Sequence, residues 1–253
     1  MAKIKHSRKE SKQEIRDNAK KMLDTDPHLW YKANLGSPDD SDYRAGYWNA
    51  KSRAEILAEE IVANGVDKLK DEKAFPKITR TASYRVKSHN GVITNSDSNR
   101  FEEQIAKSMY QKTYDGFGRV IDYQVPLKDR QDDQNKGLGK IDLLAYNEKT
   151  QILTLLELKK PASDEPLLRA ALEIYTYWRI IDQNKLIENY QSEGLLPKTK
   201  IKVEKAVLLF ENSYAYNEFY GKNKKKSPKS VKLMTKEYLD VKFYGLSLGV
   251  SVL

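Results

Sequence analysis

The period of the apolar positions changes along the chain, and that change divides it. Residues 11–23 and 50–66 read as helices, the second through a stripe at helical spacing made by Ile56, Leu57, Ala58, Ile61 and Val62. Between them, PHLWYKANLGSPDDSDYRAGYWN mixes turn formers with Trp30, Tyr31, Tyr43, Tyr47 and Trp48. Aromatics of this kind stack on bases in some proteins, but packing is the commoner use of so much apolar area. Residues 88–99 (SHNGVITNSDSN) are a run of turn residues. The boundary is placed there: residues 1–95 form a mainly helical N-terminal region, a candidate for gripping substrate, and residues 96–253 a second unit.

In that second unit Asn99 is a candidate cap for a helix through Phe101, Ile105 and Met109. Three strand-like runs follow: 119–127 (RVIDYQVPL, with Pro126 near its end), 140–146 (KIDLLAY) and 152–158 (ILTLLEL). Residues 166–181 predict a strong helix with proline at its first turn. AVLLF at 206–210 predicts a strand buried on both faces, and 240–252 a last strand or hairpin. This order predicts an α/β fold with a central mixed sheet flanked by helices.

Composition narrows the chemistry. The 253 residues include no cysteine, which excludes disulfides, thiolate metal sites and cysteine nucleophiles and agrees with a cytoplasmic location. His6, His28 and His89 are never at metal-ligand spacing, so any metal would be a hard cation held by oxygen. No apolar run approaches the roughly 20 residues of a membrane span, so no membrane partner is expected. The net charge of +9 points to a polyanion, and the 13 Lys against 7 Asp+Glu from Lys185 onward contribute +6 of it. The densest run, residues 222–229, puts Lys222, Lys224, Lys225 and Lys226 forward as phosphate contacts, with a solvated loop as the equal alternative.

The informative stretch is Gly139-Lys-Ile-Asp142 followed, after a turn, by Leu153-Thr-Leu-Leu-Glu157-Leu158-Lys159. Ionisable groups inside apolar strands are costly unless paired or metal-bound. Glu157 and Lys159 share a strand face. A two-residue hairpin loop sets Asp142 opposite Leu155, and a four-residue loop sets it opposite Glu157. Either even loop gathers Asp142, Glu157 and Lys159 on one face, whereas a one-residue slip separates them. On the preceding helix Glu102 borders the apolar face, while Glu103 points toward Lys107 and solvent. Carboxylates with a lysine and no histidine suit magnesium or manganese, which polarises a phosphoryl oxygen and activates water.

The pattern Glu102, Gly139-x-Ile-Asp142, Glu157-x-Lys159 resembles the PD-(D/E)xK nuclease superfamily, the restriction-endonuclease-like fold, over roughly Asn99 to Phe210. The resemblance implies a magnesium-dependent nuclease, an endonuclease acting on DNA, of the kind used in restriction, phage defence or repair. It implies Asp142, Glu157 and the Leu158 carbonyl as metal ligands, Lys159 as the catalytic lysine and Glu102 as an accessory ligand. A homodimer is compatible with it. Many members carry Gln and Tyr on the following helix. Here Glu173 and Tyr177 stand at that spacing, so a role for Glu173 is left open and Tyr177 is a candidate for facing the site. The rival accounts are a non-catalytic nucleic-acid-binding or interaction module on the same fold, an enzyme on RNA, and ordinary strand-end salt bridges. Gly137-Leu-Gly139-Lys140 lacks the spacing of a phosphate-binding loop, and no GxSxG elbow is present.

Overall fold

The computed structural model describes residues 11–33, 53–78, 80–93, 101–128, 139–220 and 229–247. Helix α1 (Lys12–Leu23) opens on a capping box, with the Ser11 hydroxyl accepting from the Glu14 amide and the Glu14 carboxylate accepting from the Ser11 amide. A 3₁₀ segment (Pro27–Lys32) buries Trp30 and Tyr31. Within the helix predicted over 50–66 the described residues form α2 (Arg53–Asn64), and a further short helix, α3 (Val66–Lys70), starts where the prediction ended. They meet at Gly65, where a Cβ would stand 2.9 Å from both Leu23 and Trp30, a close approach that needs glycine. Helix α4 is Phe101–Met109.

Six strands follow: β1 (Thr113–Tyr114), β2 (Gly118–Pro126), β3 (Lys140–Asn147), β4 (Ile152–Lys159), β5 (Lys202–Phe210) and β6 (Lys242–Leu246). They form one sheet in sequential order. Pairing is antiparallel from β1 to β4 and parallel from β4 to β6, so the sheet is mixed. Helices α5 (Leu167–Ile180) and α6 (Gln183–Ser192) connect β4 to β5, the length of connection that a parallel pair requires. Between β5 and β6 run α7 (Tyr214–Tyr220), α8 (Lys229–Leu233) and a π-helical turn (Met234–Tyr238).

The predicted helices at 11–23 and 166–181 and the strands at 119–127, 140–146 and 152–158 lie within two residues of those described. Strand β5 begins four residues before the predicted 206–210. Helices α6, α7 and α8 lie outside the predicted set. Helix α6 buries only Leu186 and Tyr190, too narrow a stripe to register in the sequence.

The sheet is covered on both faces. Leu153, Leu155, Val207 and Leu209 pack with α5 and with Leu23, Trp30, Leu57 and Ile61 of the N-terminal helices, so one core runs unbroken across residue 95. On the other face Leu143, Ala145, Leu156, Leu158 and Leu208 pack against Ile105, Ala106 and Met109 of α4. Among the described residues no helix is long and apolar enough to cross a membrane.

Candidate functional site

The β3–β4 hairpin pairs Leu143 with Leu156 and Asn147 with Ile152, the register of a four-residue loop. The Asn147 side-chain carbonyl accepts from the Lys149 and Thr150 amides, and Gln151 closes the turn in the left-handed region (φ 56°). This register puts Asp142 opposite Glu157, one step past the last ladder pair, at the end of the sheet where β4 finishes. The Leu158 amide donates to Asp142 Oδ2 (2.9 Å), and the Gln124 amide group donates to Asp142 Oδ1 (2.8 Å).

Lys159 is the charge at the centre, buried with its ammonium 2.8 Å from Glu157 Oε1, 2.5 Å from Glu165 Oε2 and 3.8 Å from Glu173 Oε2. Glu173, on α5, accepts from the Tyr177 hydroxyl (2.8 Å), which in turn accepts from the Gly139 amide (3.3 Å). A Cβ at Gly139 would meet that hydroxyl at 2.6 Å, so the glycine opening β3 admits the tyrosine. Tyr177 is 2 % exposed, so it presents almost no surface to a substrate and instead holds Glu173 in place. The Tyr31 ring packs edge-on against Tyr177 at 5.8 Å, tying the 3₁₀ segment to the site. Burial and the Glu173 charge push the Tyr31 hydroxyl up to about 12.

Of the residues singled out by sequence, Asp142, Glu157, Lys159 and Leu158 come together here. Glu102 reaches the same end of the sheet from α4, its Oε1 accepting from the Lys160 amide at 3.3 Å, while Glu103 pairs with Lys107 (3.2 Å). Lys222, Lys224, Lys225 and Lys226 lie outside the described residues, as do Tyr43, Tyr47, Trp48 and Asn99. Two contributors escaped the sequence reading. Glu165 follows Lys159 by six positions in an irregular turn, and its only signal is charge near the motif. Gln124 is a neutral strand residue whose signal is its register opposite Asp142.

The electrostatics of the cluster are unfavourable to the folded chain. Burial, opposed by the Lys159 charge and the Leu158 amide but reinforced by Glu173 and Glu102, raises the Asp142 carboxyl from 3.8 to about 7. Burial, then the Asp142 and Glu173 charges, raise Glu157 well above the usual carboxylate range. For Lys159 burial acts downward, but Glu157, Glu173, Glu165 and Asp142 together hold the ammonium well above its ordinary value. A carboxyl raised on folding contributes stability that is full below its unfolded pKa. That contribution is lost as pH rises through the folded value, for Asp142 from near 4 to about 7.

Glu157→Gln keeps an acceptor for Lys159 and removes one of the crowded charges. Measured by urea denaturation in EDTA, it is expected to stabilise the chain by about 1–2 kcal/mol at pH 8 and by almost nothing at pH 5. A loss of stability at pH 8 would contradict this account.

The resemblance implies magnesium, and the donor set can be tested against it. Among the described residues no three His, Cys, Asp or Glu side chains are placed to hold one ion. Asp142 and Glu157 alone form a two-carboxylate set, and magnesium is commonly held by one or two carboxylates with waters completing its shell. Both donors are carboxylate oxygens, the ligand type a hard divalent cation takes. No family model, curated protein or solved structure matches the chain.

Proposed function

We propose that the chain is a metal-dependent nuclease of the PD-(D/E)xK type, with a restriction-endonuclease-like core, that hydrolyses phosphodiester bonds in DNA. The observation that carries this reading is the mismatch of charge at the end of β4. One buried ammonium faces the carboxylates of Glu157, Glu165 and Glu173, with Asp142 beside them. A strand-end salt bridge needs one anion per cation. Four acids share this lysine, and the other cation near them among the described residues is the partly exposed Arg169, 4.0 Å from Glu165. Burial and the crowded charges raise the Asp142 and Glu157 carboxyls, an arrangement expected where chemistry rather than stability decides the residues.

Asp142 and Glu157 would hold the cation, with the Leu158 carbonyl beside them. A bound divalent ion supplies polarisation of the phosphoryl oxygen and stabilisation of the charge that develops on the leaving oxygen. The chain's own residues do the rest. Lys159 has three donors, and its ammonium can orient a water or meet negative charge on the phosphorane-like transition state. Glu165 and Glu173 keep that lysine protonated and aimed. Tyr177 and Gly139 fix Glu173, so the N-terminal helices, through Tyr31, support the site from behind. Glu102 remains an accessory ligand in this reading, held beside the site by the amide of Lys160, one residue beyond Lys159 along the chain.

The test is digestion of supercoiled plasmid and of an RNA of mixed sequence, side by side, in magnesium and in EDTA. Magnesium-dependent nicking of plasmid that exceeds RNA cleavage is expected. RNA cleavage alone would move the substrate class. No cleavage of either, with salt-sensitive binding retained, would replace the enzyme by a binding module.

A further inference from the structure

Gln124 lies near the end of β2 with φ 48°, the left-handed region that a non-glycine residue enters at an energetic cost. Its neighbours Tyr123 and Val125 pair with Leu143 and Ile141, so the register places Gln124 directly opposite Asp142. Both strands change face at this pair. Tyr123 packs in the core beneath α4, but Val125, two positions on, packs in the core beneath α5. Leu143 and Ile141 divide between the same two cores. Residues two apart in a regular strand share a face, so the alternation of β2 breaks at Gln124 and that of β3 at Asp142.

The side chain supplies the reason. With the backbone turned, the Gln124 amide group donates to Asp142 Oδ1 at 2.8 Å while the Leu158 amide holds Oδ2. The carboxylate is thereby fixed at both oxygens, and each keeps lone pairs for a further partner. A left-handed non-glycine residue inside a strand persists where its surroundings impose it, and such positions concentrate at functional sites. We propose that Gln124 is the positioning residue for Asp142, its backbone held left-handed so that a neutral donor orients the metal-binding carboxylate. This inference rests on the nuclease reading and assigns Gln124 no contact with the reacting atoms.

Glycine and asparagine separate strain from positioning. Gln124→Gly adopts the backbone freely and donates nothing. Gln124→Asn tolerates it and is one methylene too short to reach Asp142. Binding of Mn²⁺ followed by electron paramagnetic resonance, with urea denaturation in EDTA, reads the two roles apart. Both variants are expected to bind Mn²⁺ about 10–100-fold more weakly than wild type. The glycine variant's urea midpoint in EDTA is expected at or above that of wild type. Either variant retaining Mn²⁺ affinity within about threefold of wild type, against that 10–100-fold expectation, overturns the assignment. Wild type that holds no Mn²⁺ sensitive to Asp142→Ala overturns the nuclease reading itself, and this inference with it.

Discussion

Replacing Asp142 by alanine is expected to lower magnesium-dependent plasmid nicking by about 10²–10³-fold, the cost of removing one group aimed at developing charge in an active site. The variant is a clean one. Asp142 is the carboxyl raised to about 7, so its removal relieves repulsion on Glu157 and Glu173 and leaves the fold at least as stable in EDTA at pH 8. Lys159→Ala is expected to lose as much activity for a different reason. It removes the ammonium that three carboxylates contact, so it also weakens the fold at neutral pH. Lys159→Arg keeps the charge but replaces a compact ammonium by a planar fork, and is expected to rescue stability without rescuing activity. Rates from plasmid nicking, set against urea midpoints for the three variants, check both halves. Full activity in Asp142→Ala or in Lys159→Ala would remove that residue from the site.

The second large effect lies away from the motif, at Asp122. Its carboxylate is fully buried beside the bulge that shifts β2 by one residue. Arg85 stands 3.1 Å from Oδ2, His89 Nδ1 is 2.7 Å from Oδ1, and the Tyr190 hydroxyl donates to Oδ2 at 2.5 Å. The Tyr123 amide donates to Oδ1 as well (2.8 Å). The loop carrying Arg85 and His89 is thus fastened to β2 and α6, with His89 stacked on Tyr123 at 4.2 Å. Removing one member of a buried, fully satisfied charge cluster leaves the rest unpaired, so Asp122→Ala is expected to destabilise the chain by about 3–5 kcal/mol. For a chain of this size that is a fall of roughly 10 °C in Tm. Differential scanning calorimetry decides it, and a shift below about 2 °C would mean that the cluster carries no net stability.

These two sites differ in how far the sequence announced them. Asp142, Glu157 and Lys159 were legible because strand parity alone puts them on one face for any even loop. The choice between a two- and a four-residue loop was not legible. It rests on the Asn147 side chain capping the turn and on Gln151 turning left-handed, both backbone matters that residue type only weakly encodes. Gln124 stayed hidden because a neutral residue inside a strand-like run carries no sign that its backbone turns left-handed there. Asp122 read as one polar residue within an apolar strand, RVIDYQVPL, and its partners Arg85, His89 and Tyr190 come from loop and helix 30 or more positions away. Trp30 and Tyr31 were read first as packing residues, and both are buried in the core. Helices α7 and α8 are short and follow no apolar stripe long enough to predict.

The central claim is that Asp142 and Glu157 form a divalent-cation centre. Anomalous diffraction at the manganese edge from crystals grown with Mn²⁺ tests it most directly. The account predicts a peak shared by Asp142 and Glu157 at the end of β4, absent from crystals of Asp142→Ala. Ordered Mn²⁺ elsewhere with nothing between these two carboxylates, or a peak that survives the substitution, would contradict it.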